Sequence, residues 1–283
     1  MKSDNTNSWQ ILKENAKRVK NNPDFNQDEE SLLLDFSGLK FDFTKQIFDD
    51  RVLTNLVALT EETNLAKAIT DLLAGEQVNN SEKQSALHIG LRHSEVASIT
   101  GQYDSVSGQL EKMVELERSI NEGNRRGFTQ KPITDIVQIG IGGSHLGSKF
   151  LIEALQEHRT GHVRIHFISN VDPSNFLETT KKLNPETTLF VVVSKSFNTI
   201  ETAVNFRSAR CWFSERTNKS QEFHEHVVAA TENVKAAKML GIKENSIFKI
   251  PKAVGGRYSV WSASSLAAMI YLGSNTFHRF LKG

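Results

Sequence analysis

Ile136-Val137-Gln138-Ile139-Gly140-Ile141-Gly142-Gly143-Ser144-His145-Leu146-Gly147 holds the fold in miniature: an apolar run, a glycine-rich turn, and the start of a helix. Four further short apolar runs follow at intervals that leave room for helices: Val163 to Ile168, Thr188 to Val193, Val227 to Ala230 and Ile247 to Ile250. Runs apolar at nearly every position suit strands covered on both faces, and helical crossovers between them require a parallel sheet. The sequence therefore predicts an α/β region over 131–283 with five parallel strands. Upstream, 1–130 reads as mainly helical: Trp9, Leu12, Ala16 and Val19 recur at spacings of three and four, and Leu53, Leu56, Val57 and the Leu65 to Leu73 segment continue the pattern. Gly75 and Gly123 read as helix stops, and Leu32 to Phe43 as a short strand or hairpin.

In parallel sheets ligands sit beyond the carboxyl ends of the strands, so the residues after each strand carry the functional reading. After the first, the glycine turn offers backbone N–H groups and a helix dipole to an anion or to sugar oxygens. A dinucleotide fingerprint would need glycine at His145, and a nucleotide P-loop would need lysine directly after Gly147, where the order is Ser148-Lys149. A tight turn with glycines only for packing stays open as the alternative. After the third strand, Ser194-Lys195-Ser196-Phe197-Asn198-Thr199 gathers hydroxyls, an ammonium and helix-start amides, the chemistry of a phosphate cradle; a Ser/Thr loop with a helix cap is the plainer account. After the last strand, Val254-Gly255-Gly256-Arg257-Tyr258-Ser259-Val260-Trp261-Ser262 lets backbone approach a ligand beside one permanently charged arginine, which could instead serve an interdomain salt bridge.

Composition removes several classes. The 34 basic and 33 acidic groups give a formal charge of +1, too even for gripping a nucleic-acid backbone. Lys13, Lys17, Arg18 and Lys20 read as a solvated helix face. Met1 to Ser8 is polar where a signal peptide needs an apolar run, and no stretch approaches a membrane span. A single cysteine, Cys211, excludes an internal disulfide and fits a reducing compartment, so a cytoplasmic location is expected. His224-Glu225-His226 could suggest a base or a metal site, but it precedes a strand and belongs at the wrong edge of the sheet.

Taken in order, these segments resemble the glucose-6-phosphate isomerase family. Ile139 to Ser144 and Ser194 to Phe197 are similar to its two sugar-phosphate loops, and Val254 to Ser259 with Trp261-Ser262 to its signature segment. Leu87-His88 to Leu91-Arg92, and Ala230-Thr231 with Asn233-Val234-Lys235, match weaker ones. The resemblance implies a three-layer sugar isomerase (SIS) fold with a five-stranded parallel sheet, preceded by a helical region. It implies interconversion of glucose 6-phosphate and fructose 6-phosphate in glycolysis and gluconeogenesis. By position, Ser194, Lys195, Ser196, Asn198 and Thr199 would serve the phosphate, Gly143 and Ser144 the sugar, and Arg257 the enediolate. Family members use no metal or organic cofactor and are usually dimers. His145 and Ser148 stand where the family usually has Asp and Pro, and Ser196 where it has Thr.

The similarity covers about the first half of the family's length. The general base, the ring-opening histidine and lysine, and a second sheet domain lie in the family beyond the position of Gly283. The expectation is thus a truncated form with little activity alone, since losing a general acid-base costs about 10² to 10⁴ in rate. Geometry argues against Glu201 as a substitute, because it lies in the loop that would hold the phosphate on carbon 6, several bonds from carbons 1 and 2. Association with a copy or with a chain carrying the other half is expected, since uncovered apolar surface drives association. A non-catalytic sugar-phosphate sensor using the same loops is the alternative function.

Overall fold

The computed structural model describes residues 3–21, 33–44, 46, 49–101 and 103–283. The chain divides into two compact units, Met1–Leu72 and Leu73–Gly283. In the first, helix α1 (Asn7–Lys20) starts at Thr6, whose hydroxyl accepts the Trp9 N–H, and its solvent face carries Lys13, Lys17 and Lys20. Strands β1 (Leu33–Phe36) and β2 (Leu39–Asp42) form an antiparallel hairpin. Its two turn residues, Ser37 and Gly38, have φ of 52° and 79°, the left-handed pair that matches the twist of a tight hairpin. All eight strand residues are exposed. The hairpin occupies the expected stretch; Leu32 lies outside the described residues. Helix α2 (Asp50–Glu62) is capped by Asp49, which also takes an ion pair from Arg18 at 2.5 Å, so this cation of the first helix is not simply solvated. Helix α3 (Leu65–Leu73) follows, and Gly75 beyond it has φ of 76°, as a helix stop should.

The second unit holds α4 (Ser94–Ile99) and α5 (Tyr103–Asn121), then the alternating part. This runs β3 (Asp135–Ile139), α6 (Gly143–Ala154), β4 (Arg164–Ile168), α7 (Pro173–Thr180), β5 (Thr188–Val193), α8 (Ile200–Thr217), β6 (Val227–Thr231), α9 (Val234–Met239) and β7 (Ile247–Lys249). Helices α10 (Leu266–Leu272) and α11 (Ser274–Lys282) end the chain. The five strands form one parallel sheet in the order β4-β3-β5-β6-β7. Among the described residues no helix is long and apolar enough to cross a membrane. Cys211, on α8, is exposed.

Alternation along the buried strands divides the core into two layers. Ile136, Leu189, Val191, Val193 and Val228 face Leu151 of α6, Met113 of α5 and the apolar side of α10. Val137, Ile139, Phe190, Val192 and Ala229 face Phe176 of α7 and Phe206, Ala209 and Phe213 of α8. Helices therefore cover both faces, which is why β3, β5 and β6 are buried at every position.

One charged group is built into the opposite, amino-terminal edge. Asp135, 1% exposed, accepts from Arg164 Nε at 2.8 Å and Nη2 at 2.6 Å, from His166 Nε2 at 3.0 Å and from Thr134 Oγ1 at 2.8 Å. Burial alone would raise its carboxyl, but these hydrogen bonds and the Arg164 charge outweigh it and lower the pKa from 3.8 to about 2. The folded value lies below the unfolded one, so the stabilisation is present above pH ~4 and disappears as pH falls toward 2. Between pH 5 and pH 3 the protein is expected to lose about 1 kcal/mol more stability than Asp135→Asn does. Urea unfolding of both at the two pH values measures this, and parallel losses would refute it.

Candidate functional site

From β3 the chain crosses to β4 on one side and returns through β5 on the other, so the connections diverge between β3 and β5. A crevice opens at the carboxyl edge at such a switch point. The glycine turn leaves β3 and the Ser194 loop leaves β5 at that edge. The register pairs Ile139 with Val192, so the two loops rise from neighbouring strands at one level. The segment after β7 reaches the same place. A Cβ at Gly143 would lie 2.6 Å from the Gly256 oxygen, 2.7 Å from its carbonyl carbon and 3.2 Å from the Arg257 nitrogen. Two backbones thus meet where only glycine fits.

The glycine turn is less open to an anion than its composition suggests. The N–H groups of Ser144, His145 and Leu146 are occupied by the carbonyls of Ile141 and Gly142. The Gly143 N–H and the Ser144 hydroxyl are among the donors that these bonds leave for a ligand. Gly142, at φ 58° and ψ −121°, makes this closure possible, in a backbone region that side chains disfavour. Buried Gln138, an amide amid the apolar residues of β3, donates from Nε2 to the Ser144 carbonyl at 2.7 Å and fixes the turn from below. His145 and Ser148 are engaged within the fold. Ser148 donates to the Ser264 carbonyl at 3.0 Å, and the His145 ring meets Phe167 edge-on at 5.0 Å. Burial lowers the His145 pKa, with the Lys149 charge adding to it.

The loop after β5 is held open by its own side chains. Ser194 Oγ accepts the Phe197 N–H at 3.1 Å and Ser196 Oγ accepts the Asn198 N–H at 3.2 Å, with Phe197 in the left-handed region at φ 58°. Each hydroxyl keeps its proton to donate. Thr199 begins α8 without using its hydroxyl as a cap, so that group and the positive helix end stay available. The residues following β6 fasten the other side of the loop. Thr231 Oγ1 and the Glu232 N–H donate to the Lys195 carbonyl, both at 3.0 Å, and Asn233 Nδ2 donates to the Ser196 carbonyl at 3.1 Å. Glu232 Oε2 stands 3.9 Å from Lys195 Nζ. Sequence reasoning passed over this glutamate; its signal was an acidic residue between two matched motifs.

Arg257 belongs to a 3₁₀ turn, Gly256–Trp261, closed by Ser259 Oγ donating to the Gly256 carbonyl at 2.7 Å. Its guanidinium is exposed and lies 5.6 Å from the Tyr258 ring centre. Tyr258 stacks on His88 at 4.5 Å, His88 faces Trp261 at 6.4 Å, and Arg92 covers Trp261 at 5.1 Å. Burial in this stack lowers the His88 pKa. The Leu87 N–H donates to the Ala253 carbonyl at 2.9 Å, completing the support.

His224-Glu225-His226 lies at the far edge. His226 is wholly buried; its Nδ1 donates to the Thr188 carbonyl at 2.8 Å and its Nε2 accepts the Phe128 N–H at 3.1 Å. Both ring nitrogens are spent on the fold, and a Cβ at Gly127 would come within 2.4 Å of the ring.

Fold and site together define an α/β protein with a glycine turn, a hydroxyl-rich loop and an arginine at the switch point of a parallel sheet. Residues 42–283 match the phosphoglucose isomerase family model, and the chain belongs to that family. It is 38% identical over 277 residues to glucose-6-phosphate isomerase of Helicobacter pylori (strain G27), spanning 95% of this chain and 51% of that protein. Against the enzyme of Pseudomonas fluorescens (strain Pf-5) it is 39% identical, over 98% of this chain and 52% of the other. The crystal structure of a glucose-6-phosphate isomerase from Chlamydia trachomatis superposes with a TM-score of 0.80 at 27% identity, covering 99% of this chain and 55% of that one. The chain thus spans about half the length of the relatives it matches.

Proposed function

We propose that this chain supplies the sugar-phosphate-binding half of a glucose-6-phosphate isomerase, acting in the interconversion of glucose 6-phosphate and fructose 6-phosphate. The meeting of Gly143 with Gly256 and Arg257, beside the Ser194 to Thr199 loop, is the observation that supports it most directly. Lys195, the hydroxyls of Ser194, Ser196 and Thr199, and the loop at Asn198 hold the phosphate; Gly143 and Ser144 meet the sugar. This remote binding energy positions the reacting carbons. Arg257 stabilises the enediolate formed when a proton leaves the carbon next to the carbonyl. Proton transfer of this kind requires no metal or organic cofactor. The base that moves the proton is assigned to the part of the family's length that this chain does not span, whether joined to it or carried by a partner.

Titration with fructose 6-phosphate and with 6-phosphogluconate tests the cradle, because binding to the folded state alone stabilises it by RT ln(1 + [L]/Kd), about 2.7 kcal/mol at a hundredfold excess over Kd. Lys195→Ala is expected to weaken binding about tenfold. A melting temperature unmoved by either compound would end the proposal. A coupled assay for glucose 6-phosphate then measures turnover; binding without turnover, unrestored by a polypeptide carrying the rest of the family's length, would favour a sensor.

A further inference from the structure

Glu232 is an unexpected residue for an anion cradle. It leaves β6 beside the loop that carries Lys195, and its N–H is bonded to the Lys195 carbonyl at 3.0 Å. The Thr231 hydroxyl holds that same carbonyl at 3.0 Å. The two side chains therefore start from anchored, adjacent backbone. Lys195 and Glu232 are 28% and 32% exposed, so their charges are screened less than those of an open surface pair. Yet the separation of 3.9 Å is too long for a hydrogen bond. The pair is close enough to attract and too loose to lock.

We infer that Glu232 competes with the ligand's phosphate for the Lys195 ammonium and thereby limits the affinity of the site. This rests on the sugar-phosphate reading of the same loops. A phosphate oxygen can approach an ammonium to about 2.7–2.9 Å in a charge-assisted hydrogen bond, which the carboxylate does not achieve here. An incoming dianion must draw Lys195 away from Glu232 and then remain beside a like charge. In the unliganded protein the same carboxylate keeps the ammonium poised over the cradle. The backbone N–H, not the carboxylate, ties Glu232 to the loop. Glu232→Gln therefore removes the competing charge and retains the scaffold.

The test is calorimetric titration of fructose 6-phosphate, and separately inorganic phosphate, into the full chain near pH ~8, where both are largely dianions. Glu232→Gln is expected to tighten both by roughly 3- to 10-fold. In a Lys195→Gln background the same change should have less than about a third of that effect, since the two residues act on one another. Unchanged or weaker binding by Glu232→Gln, with a wild-type melting profile, would overturn the inference. An equal gain in both backgrounds would overturn it too, by showing repulsion that does not pass through Lys195. If neither ligand binds the wild type or any variant, the phosphate site itself fails, and this inference with it.

Discussion

Gly143→Ala is expected to weaken fructose 6-phosphate binding by more than about a hundredfold while leaving the sheet intact. The added methyl would stand 2.6 Å from the Gly256 oxygen and 2.7 Å from its carbonyl carbon, and both obstacles are backbone. A flexible side chain could swing aside, but here the start of α6 or the turn carrying Arg257 must move. Either movement separates the sugar-facing turn from the arginine, and such constellations tolerate displacements of only about 0.5 Å. The control is Gly255→Ala, whose methyl would meet only the Tyr258 ring at 3.6 Å, an ordinary contact. Titration of the two variants should separate them clearly. Equal affinities would show that the meeting of the two backbones has no part in binding.

The largest loss of stability is expected from Phe213→Ala. This ring is fully buried on α8 and contacts Phe128 edge-on at 5.6 Å, Phe223 at 5.5 Å and His226 at 4.8 Å. Removing it leaves a cavity bounded by other rings and by the buried imidazole, whose two hydrogen bonds prevent it from moving in. Phe→Ala at such a position costs about 3–5 kcal/mol. Urea unfolding of the sheet unit should show the midpoint falling with an unchanged slope. A loss below about 1 kcal/mol would mean that the aromatic cluster collapses around the gap.

The sheet was legible because its inner strands are covered on both faces and therefore apolar at consecutive positions, as Thr188 to Val193 shows. The carboxyl-edge loops were legible for a related reason: glycine and hydroxyl residues gather where backbone must turn and donate. What those loops do with their groups was harder to read. The glycine turn looked rich in free amides, but Ile141 and Gly142 consume those of Ser144, His145 and Leu146. That closure depends on Gly142 dihedral angles, which composition does not express. The stack of His88 between Tyr258 and Trp261 joins residues about 170 positions apart, with no local periodicity to announce it. Glu232 was overlooked because its place beside Lys195 follows from the ladder between β5 and β6 continuing past both strand ends. Gln138 did have a local signal, a lone amide in an apolar strand, which packing patterns alone read as noise.

The bonds from Thr231, Glu232 and Asn233 to the carbonyls of Lys195 and Ser196 make the cradle a joint product of two strands. Its floor is laid by one and its wall is hung from the other. A buried substitution in Val227–Thr231 that slides this strand along its neighbour would reshape the Ser194 to Thr199 loop from behind, so the affinity of the proposed site is expected to respond to residues that its ligand would never touch.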